Sequence, residues 1–208
     1  MACAEQQTPE WFAARIGCLT ASKAAAVLKR GRDGKPLKAY YDLIDEIIAE
    51  RTTGIATEHA FTRAMEWGVE HEDEARSRYE AERAVFVTET GFVKHPTIEY
   101  LGASPDGLVG DDGLLEIKCP NTTTHLRRMR AGVVPEEYVP QMLVQLICTD
   151  RKWVDFVSYD PRILGEHERF QFFVIRYEPS KEELEDAERK CREFLKEVEA
   201  EMARLLEM

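Results

Sequence analysis

The segment that most restricts this chain is Gly102-Ala-Ser-Pro-Asp106-Gly-Leu-Val109, a Gly110-Asp-Asp-Gly113 turn, and Leu114-Leu-Glu116-Ile-Lys118-Cys-Pro120. A Gly-Asp-Asp-Gly stretch between two short apolar runs predicts a β-hairpin, with strands over Asp106–Val109 and Leu114–Lys118. Successive side chains of a strand point to opposite faces. Glu116 and Lys118 therefore project together, while Ile117 turns into the core. The hairpin brings Asp106, at the start of the first strand, beside them. Two carboxylates and one ammonium are expected to converge on one face of a sheet.

Two hard carboxylates suit Mg²⁺, with Mn²⁺ able to substitute, because both ions accept oxygen ligands and keep several waters. Such a site fits hydrolysis of a phosphodiester, whose own charge repels a nucleophile until a metal offsets it and acidifies a bound water. A neighbouring lysine orients or deprotonates that water, or stabilises developing negative charge. Deprotonation needs an amine that is partly neutral. Burial and a nearby metal are therefore expected to depress the Lys118 pKa.

Other residues gather weight only beside this hairpin. In the helical run after Trp67, Glu72, Ala75 and Tyr79 share one face, so Glu72 either meets a cation at the site or is simply solvated. Gln141 opens a helix over about 138–149, with Gln145 one turn later on the same face. A glutamine amide donates to phosphate or water without adding charge, and either residue is equally an ordinary helix position. Arg15 lies close before Thr20-Ala21-Ser22, read as the start of a helix running to Lys29. A helix N-terminus favours an anion, so this cluster is either a phosphate seat or plain capping. The histidines (His59, His71, His95, His125, His167) show no zinc spacing, and no phosphate-binding GxxxxGK[ST] loop occurs, so neither zinc nor ATP is expected.

Around these motifs the chain reads as mixed α/β rather than regular βαβ alternation. Helices are expected over 9–15, 21–29, 40–53, 58–83 and 122–131, and strands over 84–94, 98–102, 153–159 and 170–177. A breaker-rich loop lies at 31–36. Ser180 and Glu183 form a capping box before a last amphipathic helix, about 180–208, that packs on the body or on a neighbouring subunit. At 208 residues one domain is expected, its core about 9–177. No apolar run is long enough to span a bilayer and no secretory signal is visible. Five scattered cysteines without a CxxC pair point to a reducing cytosol.

The net charge of −11 argues against a broadly basic nucleic-acid binder. Its distribution is uneven. Residues 1–40 hold seven basic and three acidic side chains, and residues 118–134 hold four basic and no acidic ones. Residues 178–208 carry eleven acidic and six basic side chains. Two basic islands in an acidic body suit a polyanion held in one internal groove.

Several motifs recur in register: Ala14-Arg15-Ile-Gly-Cys-Leu-Thr20-Ala-Ser22, Trp67-Gly68 with Glu72 and Ala75, Ser104-Pro-Asp-Gly with Leu115-Glu-Ile-Lys-Cys-Pro, and Tyr138-Val-Pro-Gln141 followed by Trp153 and Tyr159-Asp-Pro-Arg162. Together they resemble the phage lambda exonuclease-type (YqaJ-like) viral recombinases, alkaline exonucleases of the PD-(D/E)xK superfamily, over about residues 9–177. The resemblance implies a restriction-endonuclease-like core, with a central mixed sheet flanked by helices. It implies a Mg²⁺-dependent 5′-to-3′ exonuclease on linear double-stranded DNA, releasing 5′-mononucleotides and leaving a 3′ strand for a single-strand annealing protein. It also implies a ring-shaped homotrimer, no ATP, no membrane, and a phage or prophage origin in a bacterial cytoplasm.

By position, the resemblance makes Asp106, Glu116 and the Ile117 carbonyl metal ligands, with Lys118 positioning the water. Glu72 would contact a second metal through water or orient a reactant, and Gln141 would sit beside the scissile region. Arg15, Ser22 and Ser104 would grip a 5′ phosphate, and Arg32 would contact DNA. Met65 is either an apolar wedge at the end base pair or a core methionine. The chain departs from the wider superfamily at Gln145, where a tyrosine is common. The iron–sulfur branch is not expected, since Cys18, Cys119, Cys148 and Cys191 lack its cysteine trio. A structure- or site-specific endonuclease, or a non-catalytic DNA-end-binding module, are the alternatives.

Overall fold

The computed structural model describes residues 5–57 and 62–208. Cys3, His59 and the first residues of the helix expected from 58 lie outside the described residues. In chain order the elements are α1 (Pro9–Arg15), β1 (Leu19–Thr20), a 3₁₀ turn (Ala21–Lys23), α2 (Ala24–Leu28), α3 (Lys38–Thr53) and α4 (Arg63–Arg83). There follow β2 (Val87–Thr88), β3 (Val93–Lys94), β4 (Leu101–Ala103), β5 (Gly107–Val109), β6 (Gly113–Lys118), α5 (Thr122–Ala131) and α6 (Val139–Thr149). Then come β7 (Trp153–Tyr159), a 3₁₀ turn (Gly165–Phe170), β8 (Phe172–Tyr177) and α7 (Lys181–Leu206).

The fold is mixed α/β, as expected, with two sheets rather than one. The larger runs β2-β5-β6-β7-β8, and the smaller runs β1-β4-β3. Within the larger sheet only β6 and β7 are parallel. Parallel neighbours need a crossover, and α5 with α6 supply it. That crossover places α6 beside β6, which fixes the candidate site.

The hairpin expected from Gly110 to Gly113 is present, and Gly110 takes the left-handed φ of +53° that the turn requires. Its first strand starts at Gly107, not Asp106, although the Asp106 amide still bonds to the Leu115 carbonyl at 3.1 Å. Gly107 lies directly under Val87 of β2, where a Cβ would not fit.

Three local expectations are corrected. The helix expected over Ala21–Lys29 divides into a 3₁₀ turn and a five-residue α2. Thr20 belongs to β1 and makes no capping bond; its hydroxyl meets Ser22 Oγ at 3.1 Å. The strand expected over 84–94 is two short strands in different sheets, because Ala84 closes α4 in the left-handed conformation and the chain then changes partners from β5 to β4. The strand expected over 98–102 is β4, which starts after Tyr100, held at φ +61°.

Helix α7 docks Ala187, Cys191, Phe194, Leu195 and Val198 against the body. The capping box is formed in full. At about 1.5–3 kcal/mol for each large side chain buried, this stripe secures the helix. Its far end leaves Leu205 and Leu206 exposed. Among the described residues no helix is long and apolar enough to cross a membrane.

Candidate active site

The centre of the site is a carboxylate with no access to water. Glu116 is 0% exposed in the middle of β6, between Leu115 and Ile117. A buried charge needs partners, and α6 supplies two. Gln141 Nε2 donates to Glu116 Oε1 at 2.6 Å, and Gln145 Nε2 donates to Oε2 at 2.5 Å. The Lys118 ammonium pairs with Oε1. The two glutamines one helical turn apart thus act as a fork that fixes the carboxylate's plane. Gln145, where the sequence departs from its superfamily, is fully buried and aimed at Glu116.

Gln145→Glu tests that fork, since it keeps the shape and replaces the donor by a second carboxylate. The variant should lose about 3–5 kcal/mol at neutral pH, roughly 6–20 °C in Tm for a chain of this size. The loss should shrink as pH falls, because a protonated glutamic acid can donate again. A Tm equal to the parent's across that range would contradict the role given to Gln145.

Asp106 stands half-buried beside this pair, its Oδ2 accepting from the Ile117 amide at 2.6 Å. Burial, then the Glu116 charge, push its carboxyl well above the ordinary range, and Lys118 and the Ile117 amide only partly offset them. In the metal-free protein burial alone does not depress the Lys118 pKa. Burial does pull its ammonium down, but the charges of Glu116 and Asp106 and the bond to Glu116 outweigh it, and its pKa lies above that of an ordinary lysine. Glu72 also rises, first through burial, and its cation partner is Arg76 at 3.0 Å, a residue the sequence did not single out.

Asp106, Ile117, Lys118, Glu72 and Gln141 all line one cleft of about 740 Å³, with Glu116 beneath it. Met65 lines the same cleft and is half exposed, which removes the core alternative for it. Among the described residues no three His, Cys, Asp or Glu side chains are gathered as a ready metal cage. The donor chemistry nevertheless fits Mg²⁺ or Mn²⁺, which take one or two carboxylates and complete their shell with water. Two crowded acids, one held well above its usual pKa, are short of positive charge, and a divalent ion would supply it.

Arg15, Ser22, Ser104 and Arg32 are not among the cleft-lining residues. Three of them nevertheless share a neighbourhood. The Arg15 guanidinium stacks on the Trp11 ring at 3.8 Å, and Trp11 Nε1 donates to Ser104 Oγ at 2.9 Å. Thr20 pairs with Gly102 in parallel, so Ser22 and Ser104 leave the same end of paired strands. Burial pushes the Arg15 pKa down to about 10, with Cys18 and Glu50 opposing, so it remains a cation through neutral pH. Arg32 is exposed on a turn closed by the Arg30–Pro36 bridge, and the structure brings it to none of the other site residues.

The cleft also contains residues that sequence reasoning missed as site residues: Arg63, Trp67, Arg128, Tyr138 and Arg162. Arg128 is buried, donating to Tyr138 Oη at 2.7 Å and to Glu137 at 3.1 Å. The basic run at 118–134 was the available signal for it.

A mixed α/β core carrying two acids and a lysine at one arginine-edged cleft defines a nuclease. The chain belongs to the family of the YqaJ-like viral recombinase domain, which matches residues 10–152. It is similar to an alkaline exonuclease, LHK-Exo, from Laribacter hongkongensis, with 44% identity and a TM-score of 0.87, covering 96% of this chain and 97% of that one. The structure of LHK-Exo in complex with dAMP is similar at 44% identity and a TM-score of 0.86, over 95% and 96% of the two chains. A phage-related exonuclease from Haemophilus somnus shares the fold at 12% identity, with a TM-score of 0.65 over 89% of this chain and 96% of that one. A search of curated proteins returns no significant match.

Proposed function

We propose that this protein is a Mg²⁺-dependent 5′-to-3′ exonuclease on linear double-stranded DNA, acting as one nuclease domain over residues 1–208. The observation that carries this reading is the meeting of Asp106, Glu116 and Lys118 on one hairpin at the edge of a single cleft. The alkaline exonuclease relative and its dAMP complex support nucleic-acid hydrolysis that ends in a mononucleotide. A cytoplasmic, ring-shaped homotrimer that hands its 3′ strand to an annealing protein belongs to the same reading. The basic islands in an acidic chain support an enclosed path for DNA.

Asp106, Glu116 and the Ile117 carbonyl would hold the divalent ion. When bound, it offsets the phosphodiester's charge and acidifies a water. Lys118 Nζ would orient that water, its pKa lowered toward the proton-accepting form by the ion's positive charge. Gln141 and Gln145 keep Glu116 aimed, so no reorganisation is needed during reaction. Glu72, braced by Arg76, orients a reactant from α4. Arg15, Ser22 and Ser104 bind the 5′ phosphate that sets polarity, Arg32 contacts the duplex, and Met65 wedges its end. Mn²⁺ is expected to replace Mg²⁺; ATP and an iron–sulfur cluster are not required.

The test is a time course on linear duplex labelled at one 5′ end, with Mg²⁺ or chelator, beside a covalently closed circle. Early release of 5′-labelled mononucleotide, dependence on the metal, and an intact circle are expected. A cut circle would favour an endonuclease instead, and no cleavage at all would favour a binding module. In the same assay Arg15→Ala should lessen the preference for 5′-phosphorylated over 5′-hydroxyl ends. Equal rates on both ends by the parent would contradict the phosphate role of that cluster.

A further inference from the structure

Arg162 leaves β7 through Asp160-Pro161 and lines the cleft that contains Asp106 and Lys118. Its guanidinium is held from three sides. Nε donates to the fully buried Asp160 at 2.6 Å, and Nη2 donates to the Pro120 carbonyl at 2.7 Å. The group also stacks over the Trp67 ring at 4.5 Å. Trp67 is itself backed by the His71 ring at 3.9 Å. A guanidinium has five N–H donors in a fixed plane, and these two bonds leave three unspent. The side chain remains 42% exposed and lines the cleft. Arg128, by contrast, is buried and turned to Glu137 and Tyr138.

We propose that Arg162 is a phosphate-binding residue of the catalytic cleft, using its free N–H edge to hold a backbone phosphate of the strand being cut while Trp67 keeps the guanidinium flat. The inference rests on the nuclease reading of this cleft. Its physical basis is preorganisation. An arginine already fixed by Asp160, Pro120 and Trp67 gives up little conformational freedom when a phosphate arrives. A planar fork also matches phosphate geometry better than the point charge of a lysine.

A side chain that merely pinned Trp67 to Pro120 would affect melting but not the ionic character of DNA binding. The experiment therefore measures the affinity of the full-length protein for a 5′-phosphorylated linear duplex in chelator, across a range of NaCl concentrations. Each phosphate contact contributes about 0.9 to the slope of log affinity against log salt. Arg162→Gln should lower that slope by about 1 and reduce kcat/KM in Mg²⁺ roughly 10- to 100-fold, the size of one or two charge-assisted hydrogen bonds. Arg162→Lys should keep the slope yet lose several-fold in kcat/KM, because it has charge but no fork. An unchanged slope in the glutamine variant overturns the proposal. So does parental kcat/KM in the lysine variant, which decides the matter if the glutamine variant does not fold. A parent protein that neither binds nor cuts DNA would instead strike the nuclease reading itself.

Discussion

Lys118→Ala should abolish cleavage of linear duplex, by at least 10²–10⁴-fold on the usual scale of general acid–base groups, while binding to DNA ends persists. The amine sits between the Glu116 carboxylate and the Tyr138 ring, whose centroid lies 5.4 Å from Nζ. Its removal leaves Glu116 with its two amide donors but without its cation partner, so a loss of about 3–5 kcal/mol of stability is expected, read in the Tm of the variant. An amine must lose its proton before it can take one from water, so proton acceptance grows as pH rises. The parent's rate should accordingly climb into the alkaline range. Lys118→Arg, protonated throughout, should stay inactive at every pH. Normal turnover by either variant would remove the lysine from the mechanism.

Asp106→Asn should abolish cleavage and should also change how stability depends on pH and on Mg²⁺. The folded protein holds the Asp106 carboxyl well above its unfolded value. The folded state therefore binds the proton more tightly, and stability is present at low pH and lost as pH rises through the folded pKa. In chelator, Tm of the parent should decline over that window above the usual carboxylate range. Asparagine keeps an oxygen for the Ile117 amide but carries no charge, so the variant should lack this part of the decline and melt higher than the parent at alkaline pH. Mg²⁺ should raise the parent's Tm, since a ligand of the folded state stabilises it by mass action, and should leave the variant nearly unmoved. Equal Mg²⁺ shifts in both proteins would take Asp106 out of the metal site, whatever its effect on cleavage.

The hairpin of the candidate site was legible because its information is local. A period of two places Glu116 and Lys118 on one face, and a four-residue turn brings Asp106 alongside. The caps were legible for the same reason, as at Ser180 with Glu183. The small sheet was not. β1 is two residues long, and its partner β4 is some eighty positions away, so Thr20 reads as a cap when no long-range pairing is known. Gln145 carries no signal of its own until α6 is laid beside β6. In the metal-free protein burial does not depress the Lys118 pKa, for a related reason. Burial could be anticipated, but not that two carboxylates would lie close enough to outweigh it. Trp67 and Arg162 lie far apart in sequence and meet only through the cleft.

Ser104 and Asp106 are separated only by the buried Pro105, whose carbonyl is held by Gln6 Nε2 at 2.9 Å. Two residues of chain span at most about 7 Å, and proline fixes one of the dihedrals between them. If Ser104 touches the terminal phosphate and Asp106 serves the bond to be broken, the protein carries a stiff caliper between them. Its jaws would then set the size of each bite along the strand, and the increment would be a property of one tripeptide.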